Sequence, residues 1–231
     1  MRGCMRKIVI VFLGALAPAA AHAADTSKPF QWSASFSAST STLLNSEVID
    51  KPQYGLTLQG RQGATLLGAE FHTANASPSI GTDSEDKVYL AYDQHLKPLD
   101  LRYQVTWKTY PGTRRGLNNQ GTVWQVSASH RFFGVSVSLG TEYTDADYST
   151  TRKSYAVDAT LSRGLLPGLS GWISLQHKRQ LGSVDFTNTN IGLYYQATPK
   201  IGFSTSVNTW HGFAPWGRDH PSLSVSLSRR L

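Results

Sequence analysis

Apolar and polar residues alternate along most of this chain from residue 30 onward. Leu99, Leu101, Tyr103, Val105 and Trp107 fill the odd positions of one segment, and Asp100, Arg102, Gln104, Thr106 and Lys108 the even ones. Successive side chains of a strand point to opposite faces. The segment therefore has one apolar face and one polar face. Its ten residues match the length at which a tilted strand crosses a bilayer, about 9–11. The usual soluble strand is about 5–6 residues long. The same period recurs over 30–38, 54–59, 67–72, 88–93, 124–129, 135–140, 155–162, 169–176, 190–197, 201–208 and 222–231, which predicts twelve strands.

The connections alternate too. Short ones fall at Gln62-Gly63, Leu96–Pro98, Phe132–Gly134, Gly164–Gly168 and Pro199-Lys200. Long ones fall at 39–52, 73–86, 109–121, 144–153, 179–188 and 210–221. Five short turns and six long loops fit a twelve-stranded antiparallel up-and-down meander with both termini on the short-turn side. That is the pattern of an all-β transmembrane barrel of the outer membrane. Trp32, Tyr103, Trp107, Trp124, Phe132, Tyr143 and Trp210 lie toward strand ends, as interfacial aromatic girdles would. The competing fold is a soluble sandwich or lipocalin-like barrel with its apolar face turned inward. Against it, the polar face is rich in Ser, Thr, Gln, Asn and Gly and poor in charge.

Composition sharpens this picture. Only 16% of the 231 residues are charged, against about 25% in ordinary soluble domains. The 11% of aromatic residues argues against disorder. Arg2, Arg6 and Lys7, the apolar run Ile8–Ala17 and the small-residue site Ala21-His22-Ala23 together read as a secretory signal peptide over 1–23. That run is too short for a spanning helix, which needs about 18 residues or more. The barrel domain is then 24–231. Removing three basic residues lowers the net charge from +7 to +4, and the single cysteine, Cys4, leaves with the signal. Neither disulfides nor a cysteine nucleophile is expected.

Parity names the residues of the barrel interior. The pore-lining set is Arg102, Gln104, Thr106, Lys108, Gln125, Ser127, Ser138, Glu142, Asp158, Gln176, Asn190, Ser206 and Asn208. The inward charges are Arg61, Lys87, Arg102, Lys108, Arg131, Lys178 and Arg230 against Glu70, Asp93, Asp100, Glu142 and Asp158. Charge rings set ion preference, so a mild anion preference is one reading. Mutual pairing and rim placement are the favoured one. Asp158 stands near the middle of its strand, where a charge must be paired or hydrated. Many inward positions are Ser or Gly, which leave space for a narrow water-filled pore.

Lys108, Arg114, Arg115, Arg152, Lys153, Lys178 and Arg179 lie at or in the long loops, where they are solvated or meet lipopolysaccharide. A basic stripe interleaved with aromatics is missing, so no nucleic-acid partner is expected. The expected partners are outer-membrane lipid and lipopolysaccharide, small polar solutes and the outer-membrane assembly machinery. The histidines after the signal are His72, His95, His130, His177, His211 and His220, and none has nucleophile or metal-ligand spacing. No catalytic residue, metal or cofactor is expected. Two alternatives to a channel are an outer-rim lipid or lipopolysaccharide hydrolase and a soluble periplasmic ligand-binding barrel.

The barrel pattern resembles the small twelve-stranded porins of Gram-negative bacteria, including the oligogalacturonate and sialic-acid porins. A local likeness to the TorF-type porins rests on Lys51-Pro52-Gln53-Tyr54-Gly55-Leu56, Gly68-Ala69-Glu70-Phe71, Val88-Tyr89-Leu90-Ala91-Tyr92 and Thr109-Tyr110-Pro111-Gly112. The likeness extends over a quarter to a third of the chain. The resemblance implies a passive outer-membrane channel. The chain ends Arg229-Arg230-Leu231, with Leu231 at the parity where such barrels usually place a terminal aromatic.

Overall fold

The structure, a computed structural model, describes residues 29–40, 42–44, 47–49, 52–74, 81–146, 153–181, 185–212 and 220–231. The signal peptide expected over 1–23 lies outside the described residues.

A closed barrel is formed by β1 (Gln31–Ser39), β4 (Gln53–Gln62), β5 (Thr65–Thr73), β6 (Ser84–Leu96), β7 (Leu99–Thr109), β8 (Gln120–Phe132), β9 (Val135–Thr144), β10 (Ser154–Leu166), β11 (Leu169–Gln180), β12 (Asp185–Thr198), β13 (Ile201–Gly212) and β14 (His220–Arg230). Each strand pairs antiparallel with its neighbours in the barrel, and β1 closes the ring against both β4 and β14. The twelve-stranded meander expected from the alternation is the fold. An additional two-stranded hairpin, β2 (Thr42–Leu44) with β3 (Glu47–Ile49), sits inside the first long connection. Alternation did not reveal it, because three residues are too few to show a period.

The register turns one face of every strand outward. Phe36, Leu56, Phe71, Leu90, Leu139, Val157, Leu175, Ile191, Phe203 and Val225 are all exposed on this face. Serines, threonines, amides and charges face the interior. Long strands extend past the visible alternation. β11 runs to Gln180 and β12 starts at Asp185, so the expected loop 179–188 shrinks to four residues. Backbone pairing continues there because it needs no apolar side chain, only a partner strand at the right spacing.

Interior glycines let large neighbours lie flat on the wall. A Cβ on Gly68 would sit 2.2 Å from the Tyr89 ring, and one on Gly202 would sit 2.1 Å from the Tyr194 hydroxyl. Aromatic rings covering cross-strand glycines brace both residues. The short turns use left-handed glycines, with Gly63, Gly134 and Gly168 at positive φ. At the opposite end, the connection after β7 folds back on the segment before β6. The Asp83 amide donates to the Pro111 carbonyl at 3.0 Å, and the Thr82 and Thr113 hydroxyls meet at 2.8 Å.

Candidate functional site: the barrel interior

All thirteen residues expected to line a pore occupy inward register positions. Arg102, Gln104, Thr106 and Lys108 project from β7 and face, in register, Ser127, Gln125, Val123 and Gly121 of β8. Glu142 and Ser138 follow on β9, Asp158 on β10 and Gln176 on β11. Asn190 on β12, with Asn208 and Ser206 on β13, completes the circuit.

The interior has two unlike walls. Strands β4 to β9 carry most of the inward charges, many of them in three linked groups. Asp93 takes Arg102 in a bidentate pair at 2.7 and 3.0 Å and Arg61 at 2.8 Å. Lys87 bridges Glu85 at 2.9 Å and Glu70 at 3.6 Å, and His72 Nε2 meets Glu70 at 3.4 Å. Gln104 donates to Gln125 at 3.0 Å, and Gln125 donates to Glu142 at 3.1 Å. Most inward charges on this wall are thus tied to each other, as mutual pairing required. Strands β13, β14 and β1 form the second wall, which carries Ser204, Ser206, Ser222, Ser224, Ser226 and Ser228 beside Ser33, Ser35, Ser37 and Ser39. Ser204 and Ser226 hydroxyls meet at 2.6 Å. This wall is uncharged until Arg230 at its lower end.

Sequence reading missed part of the interior. Glu85 is also inward, which makes the charge set seven basic against six acidic residues. The apolar alternation in that strand starts only at Val88, so no period marks Glu85 as inward. Trp172 also faces inward, paired with Gly192. Trp210 corrects the girdle reading. It shares the phase of Asn208 and faces inward, since its distance from the strand end says nothing about its face. Leu66, Tyr89 and Ala91 form a small buried apolar cluster on the same wall as the charges. Asp158 stands beside Gly140, whose missing side chain leaves room for the carboxylate. The Trp172 ring lies over Gly192 inside the barrel, so Trp172→Ala should raise single-channel conductance, by up to about twofold; unchanged conductance in planar bilayers would show that the ring does not limit the current.

A cavity of about 210 Å³ opens at the end with the termini, lined by Gln31, Trp32, Ser33, Gln59, Arg61, Leu66, Arg102 and Arg230. The histidines do not converge. His72 faces the interior beside Glu70, and His95 pairs with Asp100 at the turn end, 2.6 Å away. His130 donates from Nδ1 to the Pro98 carbonyl. His177 Nδ1 meets the Thr187 hydroxyl at 3.1 Å. His211 falls in the outward phase near the end of β13 and His220 opens β14. Ser37 Oγ and His72 Nδ1 lie on either side of Gly55, yet no hydrogen bond joins them. Among the described residues, no group of three His, Cys, Asp or Glu side chains could hold a metal ion.

No family model matches the chain, and no curated protein matches it. Solved structures do. A KdgM porin superposes with a TM-score of 0.66 over 86% of this chain and 99% of its own, at 13% identity. A NanC porin gives 0.64 over 86% and 100%, at 12% identity. An outer-membrane channel of Pseudomonas putida F1 gives 0.58 over 87% and 95%, at 13% identity. At such identities the likeness is one of fold. The chain shares its closed twelve-stranded antiparallel barrel with small outer-membrane porins and channels.

Proposed function

We propose that the chain is an outer-membrane channel for passive diffusion of small polar solutes. The observation that carries this reading is the pair of faces on each strand. A continuous apolar exterior suits lipid, and an interior wall of small hydroxyl side chains suits water and hydrogen-bonding solutes. A soluble barrel would need the reverse, because its exterior must be wet. The N-terminal signal, outer-membrane lipid and lipopolysaccharide contacts and insertion by the assembly machinery belong to the same proposal, as does kinship with the TorF-type porins. Diffusion of solutes calls for no catalytic group. The hydrolase reading would need a serine hydrogen-bonded to one of the histidines.

Ion preference follows from the charges. Seven basic against six acidic inward residues, most of them paired, leave little excess to select an ion. The mild anion preference is therefore small. Refolded mature chain in planar bilayers should show discrete current steps, with a reversal potential close to zero in a salt gradient. Heat-modifiable folding without conductance would remove the channel reading and keep the barrel.

A further inference from the structure

The five short turns at the end with the termini are not alike. Two are polar: Gln62-Gly63-Ala64 and Thr198-Pro199-Lys200. The other three are consecutive on the rim, joining β6 to β7, β8 to β9 and β10 to β11. Each carries large apolar side chains out to its tip. Leu96 and Leu99 flank the first, Phe132 and Phe133 the second, and Leu165 and Leu166 the third; all six are exposed.

Phe133 is the anomaly. It is 102% exposed and holds a left-handed φ of 47°, followed by Gly134 at 81°. Both central positions of such a turn favour Asn, Asp or Gly. An aromatic residue there combines an unfavourable backbone with a fully wetted ring. Outliers of this kind point from structure to function. The turn is also braced, since the His130 hydrogen bond to the Pro98 carbonyl ties it to the preceding turn. The His130 ring packs edge-on against Phe132 at 4.1 Å.

The same three turns carry Lys97 and Arg163, with Arg131 at the rim on the inward phase where β8 ends; all three are exposed and without an ion-pair partner among the described residues. Their one acid, Asp100, is held by His95. Unopposed cations around projecting apolar tips are complementary to a layer of anionic headgroups above acyl chains. Resting on the membrane reading above, we infer that the β6–β11 side of this rim is a lipid-binding edge. Its three turns seat in the headgroup layer of an anionic phospholipid leaflet. The barrel therefore sits deeper on that side than on the side of β12 to β5.

The mature chain contains no cysteine, which makes single labels clean. Environment-sensitive fluorophores go on Phe133→Cys and Leu166→Cys, on the polar-turn controls Ala64→Cys and Lys200→Cys, and on the exterior mid-strand reference Leu175→Cys. Each variant is placed in vesicles of phosphatidylcholine with and without phosphatidylglycerol. Labels at 133 and 166 should be quenched several-fold more by spin-labelled lipid than by aqueous iodide, and the controls the reverse. Adding Lys97→Gln, Arg131→Gln and Arg163→Gln to the Leu166→Cys variant should abolish the gain from phosphatidylglycerol. Lipid quenching at 175 with iodide quenching at 133 and 166 overturns the edge and leaves the membrane barrel standing. So does protection that appears only in native membranes, which would mean a protein partner. Absence of lipid quenching at 175 overturns both.

Discussion

Replacing Lys87 with Met is expected to lower barrel stability by about 2–4 kcal/mol, a little under the ~3–5 kcal/mol for a fully buried ion pair that loses one partner, because the ammonium keeps some exposure. The ammonium lies between Glu85 at 2.9 Å and Glu70 at 3.6 Å. Without it, two carboxylates are left on one interior wall, with Lys108 on the neighbouring strand and the His72 ring beside Glu70 as their remaining partners. The urea midpoint of the heat-modifiable band reports the loss. The same change should move the channel toward cations, seen as a reversal potential displaced in the cation direction. Lys87→Met with Glu70→Gln and Glu85→Gln should recover most of the stability, because replacing a whole buried network is far less costly than orphaning part of it. If Lys87→Met costs no more than Lys200→Met at the exposed turn, the interior charges are solvated individually and the paired-wall description is wrong.

Gly192→Val is expected to be a strongly damaging steric change, at about 1–3 kcal/mol for overpacking and more if the strand pairing gives way. A Cβ at 192 would lie 2.2 and 2.6 Å from atoms of the Trp172 ring and 2.7 Å from the Thr205 carbonyl oxygen. The ring can swing into the lumen, but the carbonyl belongs to the neighbouring strand and cannot. Adding Trp172→Ala should therefore rescue Gly192→Val only in part. Gly140→Ala is the contrast, since its Cβ would meet only the Asp158 carboxylate, 2.4 Å away at the end of a side chain. Its urea midpoint should fall less. Equal losses for the two variants would mean that the backbone contact at 192 does not decide the outcome.

How much of this was legible in advance depends on which residues one asks about. The segment Leu99–Lys108 alternates without a break, and its register in the barrel is the one parity assigns: Arg102, Gln104, Thr106 and Lys108 inward. The turn at Phe133-Gly134 could be placed from its glycine, yet its exposure and left-handed Phe133 could not. Glu85 shows the limit of the pattern, because it stands where polar residues fall on both faces and no period marks the wall. Trp210 shows another, since an aromatic near a strand end reads as a girdle residue whichever way it points.

The sequence by itself determined the strand number, the antiparallel meander and the face of nearly every residue in the alternating segments. It could do so because a period of two is local: each side chain's face follows from its neighbours in the chain. Only the tertiary structure decided which charges meet, as with Lys87 between Glu70 and Glu85 and Asp93 between Arg61 and Arg102. It alone set the serine wall of β13, β14 and β1 against the charged wall of β4 to β9. It alone showed Phe133 fully exposed at a left-handed φ on the rim. The pairings and the two walls depend on strand order, stagger and ring closure. Closure brings β1 beside β14, residues nearly two hundred positions apart, and no local pattern records such a distance.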